Sequence, residues 1–206
     1  MLKVYACLGV AAVAALMGGT GYYVWAKQSA DQFAQCRNTV IAGGAGNIGG
    51  EFLLTDQTGT QVNAAQVIDK PSLVYFGYTF CPDVCPVDVA RNIEVVDALE
   101  EQGYEVNPVF ISIDPERDTP EVLAEYAEIM HPRLKALTGT PEQIRDVAKK
   151  YAVYYKAQEK KDDLYLVDHM TFTYLIDPKA GFLDFFKREM NPEEMVEKIG
   201  CFLDQK

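Results

Sequence analysis

Two cysteines, Cys81 and Cys85, lie where a predicted strand meets a predicted helix. They end the stretch 73–86 (LVYFGYTFCPDVCP), whose run of aliphatic and aromatic residues is typical of a strand buried on both faces of a mostly parallel sheet. Apolar residues at helical spacing follow in 87–99. Two thiols at such a junction can form a redox pair or bind a soft metal ion.

The prolines predict where this helix begins. Cys81 and Cys85 each precede a proline, and the residue before a proline is pushed out of the α region, whereas proline is tolerated in the first turn. We therefore expect the helix to begin at Pro86, with Cys85 as its cap and Cys81 in the preceding loop. A thiol at a helix N-terminus is biased towards thiolate, the form that attacks disulfides and binds metals.

The spacing of the cysteines leaves both chemistries open. In a regular helix, positions i and i+4 place their Cβ atoms roughly 5–6 Å apart, whereas a relaxed disulfide needs about 3.5–4.5 Å. That favours a bridging metal, but a loop can fold to bring the sulfurs together. The residues alone therefore predict either a redox pair or a metal site.

His169 is the third candidate for this chemistry. It lies in Asp168-His169-Met170, which we expect to join predicted strands at 164–167 and 171–176. Two thiolates and an imidazole form a soft donor set suited to Cu(I) or zinc. The other histidine, His131, precedes a proline at a predicted helix end, where a structural role is the simpler interpretation.

The remaining patterns predict the elements that position these residues. After a hairpin at 51–62, strands are expected at 106–113 and 182–186, and helices at 121–130, 141–151 and 192–203. Together with the central strand and its helix, this order predicts an α/β, thioredoxin-like domain with an extra N-terminal β-hairpin.

The N-terminal segment predicts a membrane anchor. Val4–Trp25 is a run of 22 residues without a charge, long enough to cross a hydrocarbon core of roughly 30 Å. The aromatic residues near its end suit a membrane interface, and a cleaved signal peptide would have a shorter apolar region. We expect a transmembrane anchor at 1–27, a Gly-rich tether at 28–47 and the α/β domain at 48–206.

The charge of the chain limits the classes of molecule that it is expected to bind. The formal net charge is −11, which disfavours binding to phosphate backbones, and no glycine-rich phosphate loop joins a strand to a helix. Cys36 and Cys201 flank the soluble part, where a structural disulfide is one hypothesis for an oxidising compartment.

Three motifs together resemble the Sco/SenC family of copper-binding proteins, which assist the assembly of cytochrome c oxidase. They are FGYTFCPDVCP at 76–86, SIDPERDTPE at 112–121 and YLVDHMTFTYLID at 165–177. The similarity extends from about Ile48 to the C-terminal helix and so covers the whole predicted domain. The order of the three motifs is far more specific than a pair of cysteines alone.

The resemblance implies a function. Copper would be bound by Cys81, Cys85 and His169, and the protein would be a copper chaperone without catalytic turnover that helps to assemble the CuA site. Asp168 would orient the imidazole or steer a partner. Phe80 departs from the family, in which many members carry a histidine, so a second nitrogen donor is missing there.

A second function remains open at this stage. A membrane-tethered thiol-disulfide oxidoreductase would use Cys81 and Cys85 as a redox pair to reduce the cysteines of the oxidase copper site, and it would not need His169.

The resemblance also implies a location and partners. We expect a single-pass protein of a bacterial inner membrane with its domain in the periplasm, because the apolar run leaves no room for a transit peptide. The alternative is the mitochondrial inner membrane, with the domain facing the intermembrane space. The expected partners are the copper-bearing subunit of cytochrome c oxidase and other copper chaperones or thiol reductants.

Overall fold

A computed structural model of the protein describes residues 13–23, 32–37, 48–159 and 165–205. The chain divides into two units, one made mainly of the residues up to Asn38 and the other mainly of Thr39–Asp204. The predicted boundaries after residues 27 and 47 lie outside the described ranges and stay predictions.

In the first unit, residues 13–23 form helix α1 and residues 32–36 form a turn. The predicted span Val4–Trp25 extends beyond α1 on both sides, into residues outside the described ranges. No helix within those ranges is long and apolar enough to cross a membrane.

In the described residues of the second unit, nine strands form two sheets. The strands are β1 Leu53–Asp56, β2 Gln61–Asn63, β3 Ser72–Gly77, β4 Asn107–Ser112, β5 Lys135–Thr138, β6 Tyr155–Ala157, β7 Val167–His169, β8 Thr173–Asp177 and β9 Gly181–Phe186. Seven of them form one sheet in the order β2-β1-β5-β4-β3-β8-β9, and β6 pairs with β7 in a separate two-stranded sheet.

Five helices accompany the sheets in the same described ranges. They are α2 Ala64–Val67, α3 Val84–Glu101, α4 Pro120–Met130, α5 Pro141–Lys150 and α6 Pro192–Asp204. Helix α3 packs against α6 and β4, and α4 packs against β5. The predicted α/β class and the N-terminal hairpin, formed by antiparallel β1 and β2, are confirmed.

Strand β3 is an interior strand of the large sheet, buried as its apolar run predicts, although the middle strand of the seven is β4. All six of its residues are buried. It pairs in parallel with β4 and antiparallel with β8, so the sheet is mixed rather than mostly parallel. Because β3 is held on both sides, the loop that leaves its carboxyl end starts from a fixed point.

Helices α4 and α5 begin where their Thr-Pro pairs predict. Thr119 accepts a hydrogen bond from the backbone N–H of Val122. Thr140 and Gln143 form a reciprocal capping box at the start of α5. These caps satisfy backbone donors that would otherwise lack a partner, so each helix start is fixed locally.

Candidate metal centre

The two cysteines lie on either side of the start of α3. Cys81 belongs to the loop between β3 and α3, as predicted. The prediction that Cys85 caps a helix beginning at Pro86 is wrong, because α3 begins at Val84 with Asp83 in the N-cap position. The Asp83 side chain makes no capping hydrogen bond, and the sulfur of Cys81 instead accepts one from the backbone N–H of Cys85, at 3.4 Å.

His169 ends strand β7 instead of lying in a connection. The predicted strand at 164–167 is wrong in its bounds, since β7 spans Val167–His169 and pairs antiparallel with β6. In this register His169 lies opposite Tyr155. The error arose because β6 is a three-residue strand without alternating apolar residues, and pairing with it is what makes His169 part of a strand.

The structure brings the three predicted ligands together. Their donor atoms, the Sγ atoms of Cys81 and Cys85 and a ring nitrogen of His169, all lie within 4.8 Å of one another. Nε2 of His169 is 3.3 Å from Sγ of Cys85. One ion could contact all three atoms after small side-chain adjustments.

The imidazole is oriented with one nitrogen free for coordination. Nδ1 lies 2.9 Å from the carbonyl oxygen of Met170, which can only accept, so the proton resides on Nδ1 and the lone pair of Nε2 faces Cys85. Burial lowers the pKa of His169 and outweighs the hydrogen bond to Met170, so the ring is neutral at pH 7. A neutral imidazole with an unprotonated ring nitrogen is the form that binds metal.

The Asp168 side chain is not the group that orients the imidazole, which was one of its two expected roles. Its carboxylate accepts a hydrogen bond from Nε2 of Gln158, at 2.8 Å, and the Met170 carbonyl orients the imidazole instead. A role for Asp168 in steering a partner stays a prediction. The other histidine, His131, forms the C-cap of α4 and pairs with Asp97, which agrees with its structural interpretation.

Aromatic rings and a close backbone approach enclose the site. The rings of Tyr75 and Tyr78 meet the His169 ring edge to face, with centroids 6.3 and 5.9 Å away. Gly77 is the last residue of β3, and its lack of a side chain makes room for Sγ of Cys85. A Cβ at position 77 would lie only 3.0 Å from that sulfur. The buried hydroxyl of Tyr75 donates to Asp88 on α3, at 3.0 Å.

The two thiols differ in acidity. Burial alone would raise the pKa of Cys81, but hydrogen bonds from the backbone N–H groups of Asp83 and Cys85 and from the Cys85 side chain outweigh it, so the pKa is lowered. Burial raises the pKa of Cys85 well above that of an ordinary thiol. Cys81 is therefore the more nucleophilic sulfur.

This difference predicts selective alkylation of the reduced, metal-free protein. The thiolate fraction of Cys81 persists to a lower pH than that of an ordinary thiol, and it is lost as the pH falls through the lowered pKa. Iodoacetamide should therefore modify Cys81 first, at a rate whose pH midpoint lies below that of a free cysteine. Mass spectrometry of the alkylated peptides between pH 6 and 9 measures this, and equal rates at Cys81 and Cys85 would contradict it.

A buried network beside the site was missed by sequence reasoning. The carboxylate of Asp118, in the loop before α4, accepts hydrogen bonds from the hydroxyl and backbone N–H of Thr79 and from the hydroxyl of Ser112. Burial raises the pKa of Asp118 although these bonds oppose the shift. The motif SIDPERDTPE contains Ser112 and Asp118, but sequence alone does not show that they hold the loop before Cys81.

Two further cysteines in the described ranges, Cys36 and Cys201, are each disulfide-bonded. Within the described ranges, the free thiols are Cys81 and Cys85, and neither Cys36 nor Cys201 is among them. A disulfide joining Cys36 to Cys201 stays a prediction.

Comparisons with known proteins agree with this architecture. Residues 42–204 match the SCO1/SenC family. Protein SenC of Rhodobacter capsulatus is 48% identical over 202 residues, which cover 98% of this chain and 91% of that protein.

Two solved structures with copper bound have the same thioredoxin-like fold. ScoI of Arabidopsis thaliana is 39% identical, with a TM-score of 0.74 over 77% of this chain and 99% of that one. ScoI of Bradyrhizobium japonicum is 41% identical, with a TM-score of 0.67 over 74% of this chain and 98% of that one. The family match, the identity to SenC and the shared fold lead to one conclusion: this chain belongs to the SCO1/SenC family.

Proposed function

We propose that this protein is a copper chaperone that binds one copper ion through Cys81, Cys85 and His169. The observation that carries the proposal is the convergence of two sulfurs and the free lone pair of a neutral imidazole within 4.8 Å. Thiolates select Cu(I), and imidazole also suits copper. The copper-bound structures of relatives support the same cargo.

The proposed recipient is the CuA site on the copper-bearing subunit of cytochrome c oxidase. Membership of the SCO1/SenC family supports a role in oxidase assembly in general. A three-ligand site suits this role, because an acceptor could replace the protein ligands one at a time. Metal binding needs deprotonated thiols, so the dithiol form would load copper and a disulfide form would not.

We also propose that the protein is held at a bacterial inner membrane with its domain in the periplasm. The uncharged run Val4–Trp25 supports an anchor. The alternative location is the mitochondrial inner membrane, with the domain in the intermembrane space. Other copper chaperones or thiol reductants would supply copper or electrons there.

The deciding experiment is copper binding by the full chain, reduced and anaerobic, in competition with a Cu(I) chelator. We expect one copper per chain. His169→Ala should weaken binding by at least about 10- to 100-fold, since even outer-shell partners of ligands have effects of that size. The matched control is His131→Ala, which removes the other histidine at the end of α4 and should leave copper affinity unchanged.

The same titration separates the chaperone from the thiol-disulfide oxidoreductase. An oxidoreductase would show copper binding indifferent to His169→Ala, together with a Cys81–Cys85 disulfide that cycles readily. The contact between Nε2 of His169 and Sγ of Cys85 favours the chaperone.

A further inference from the structure

Arg117 packs against Phe80, the residue that precedes Cys81. It belongs to the loop between β4 and α4, and its side chain is 13% exposed. The guanidinium carbon lies 3.7 Å from the centre of the Tyr165 ring and 4.9 Å from that of Phe80. At 3.7 Å the planar group covers the face of Tyr165, the arrangement in which cation–π attraction is strongest.

Arg117, Asp114 and Tyr165 close on one another, and we call them the Arg117 triad. Nε of Arg117 pairs with Oδ2 of Asp114 at 2.5 Å, while the hydroxyl of Tyr165 donates to Oδ1 of the same carboxylate at 2.6 Å. Asp114 and Tyr165 are both buried. One carboxylate thus holds a cation and a phenol, and the cation covers the ring of that phenol.

The triad includes a residue just before β7, the strand that carries His169 and that lies outside the large sheet. Tyr165 precedes β7 by two residues, and β7 is not part of the seven-stranded sheet. Within the part of the chain that the structure describes, β7 pairs with β6 alone. Hydrogen bonds within the ribbon of β6 and β7 do not by themselves fix where the ribbon lies relative to the cysteines.

A second contact joins the same segment to the cysteine loop. The backbone N–H of Val167 donates to the hydroxyl of Tyr78, at 3.3 Å. Tyr78 also lies edge to face with the ring of His169, and its carbonyl accepts the backbone N–H of Cys81. The start of β7 is therefore tied to the cysteine loop through Tyr78 and to the loop after β4 through Tyr165.

We propose that Arg117 is a positioning residue that holds His169 against Cys85 by clamping Tyr165 onto the loop after β4. The inference rests on the proposed function, since its effect is on a copper ligand. Without the guanidinium, the Asp114 carboxylate loses its ion pair with Arg117, and the Tyr165 ring loses the cation–π contact with it. The ribbon of β6 and β7 then keeps its internal pairing but moves away from the thiols.

Replacing Arg117 by methionine in the full chain tests this. Arg117→Met keeps an unbranched apolar stem but removes the charge and the planar group. We expect Cu(I) affinity to fall about 10- to 100-fold, as for other residues that orient ligands. X-ray absorption of the copper-loaded protein should lose the imidazole scattering while the sulfur shell remains. The matched control is Arg145→Met, an exposed arginine of α5 paired with Glu142, which should change neither readout.

The decisive comparison is the double variant Arg117→Met, His169→Ala. If Arg117 acts only through His169, adding Arg117→Met to His169→Ala should cost no further affinity, because the effects of residues acting in series are not additive. An equal fall in affinity in both backgrounds would overturn the proposal, since Arg117 would then act on the cysteines or on the fold as a whole. Unchanged affinity with retained imidazole scattering would overturn it too.

A milder variant keeps the test decisive if Arg117→Met does not fold. Tyr165→Phe preserves the ring under the guanidinium and removes the hydroxyl that donates to Asp114. It should weaken copper binding less than Arg117→Met and should likewise have no effect in the His169→Ala background. Failure of the proposed function looks different, because the wild type and Arg145→Met would then bind no copper, or would bind copper that His169→Ala does not weaken.

Discussion

Replacing Cys81 and Cys85 together by serine is expected to abolish copper binding under reducing, anaerobic conditions. The substitution removes both soft donors and leaves a single neutral imidazole, which cannot retain Cu(I) against a competing chelator. The loss should exceed that of His169→Ala, which keeps both sulfurs. Copper retained through gel filtration, measured per chain, gives the result.

The fold should survive this double substitution, because serine is close to cysteine in size and Cys81 lies in a loop. Far-ultraviolet circular dichroism before and after the exchange provides the control. Copper retained at one ion per chain in the double variant would place the site elsewhere in the protein. Copper bound by the oxidised wild type as tightly as by the reduced form would show that the thiols are not its ligands.

Replacing Gly77 by alanine is expected to destabilise the protein and to weaken the site at once. The added Cβ would lie 2.8 Å from the Tyr75 ring, 3.0 Å from Sγ of Cys85 and 3.1 Å from the Phe110 ring. All three side chains are buried, so none can move away freely. Overpacking of this kind costs about 1–3 kcal/mol, and copper affinity should fall because the ligand sulfur is displaced.

Urea unfolding of the metal-free protein measures the first effect and chelator competition the second. The matched control is Gly200→Ala in α6, where an added Cβ meets nothing within 4 Å. A helical glycine exchanged for alanine in open space should gain roughly 0.5–1 kcal/mol, which is the opposite sign. Equal changes in the free energy of unfolding for the two variants would show that the crowding at Gly77 is relieved without strain.

Local sequence patterns predicted those elements whose own residues mark their type and their first residue. Strand β3 is apolar along its whole length, and α4 and α5 begin with Thr-Pro caps, so these elements could be placed within a residue or two. The start of α3 could not, because it depends on a hydrogen bond from the Cys85 N–H to the Cys81 sulfur, which proline preferences do not anticipate.

The meeting of the three ligands could not be derived from local patterns. Cys85 and His169 are 84 residues apart, and their contact requires the pairing of β6 with β7, two three-residue strands. Their donor types suggested a shared soft-metal site, and the resemblance to the Sco/SenC family assigned all three to one copper ion, but neither showed how the fold brings them together. The Arg117 triad illustrates the same limit, since its motif was visible but the contact of Arg117 with Tyr165 depends on tertiary packing.

The two sulfurs and the imidazole are carried by different parts of the domain, and this has a kinetic consequence for the proposed copper cargo. The sulfurs follow the end of a strand in the seven-stranded sheet and lie at the start of a long helix, whereas the imidazole is carried by a separate two-stranded ribbon. Local opening begins at the least supported pairing, so the imidazole would dissociate first. Copper would then remain on two thiolates, and an acceptor would attack from the side that the imidazole had left. The release of copper would therefore have a fixed order and a fixed direction.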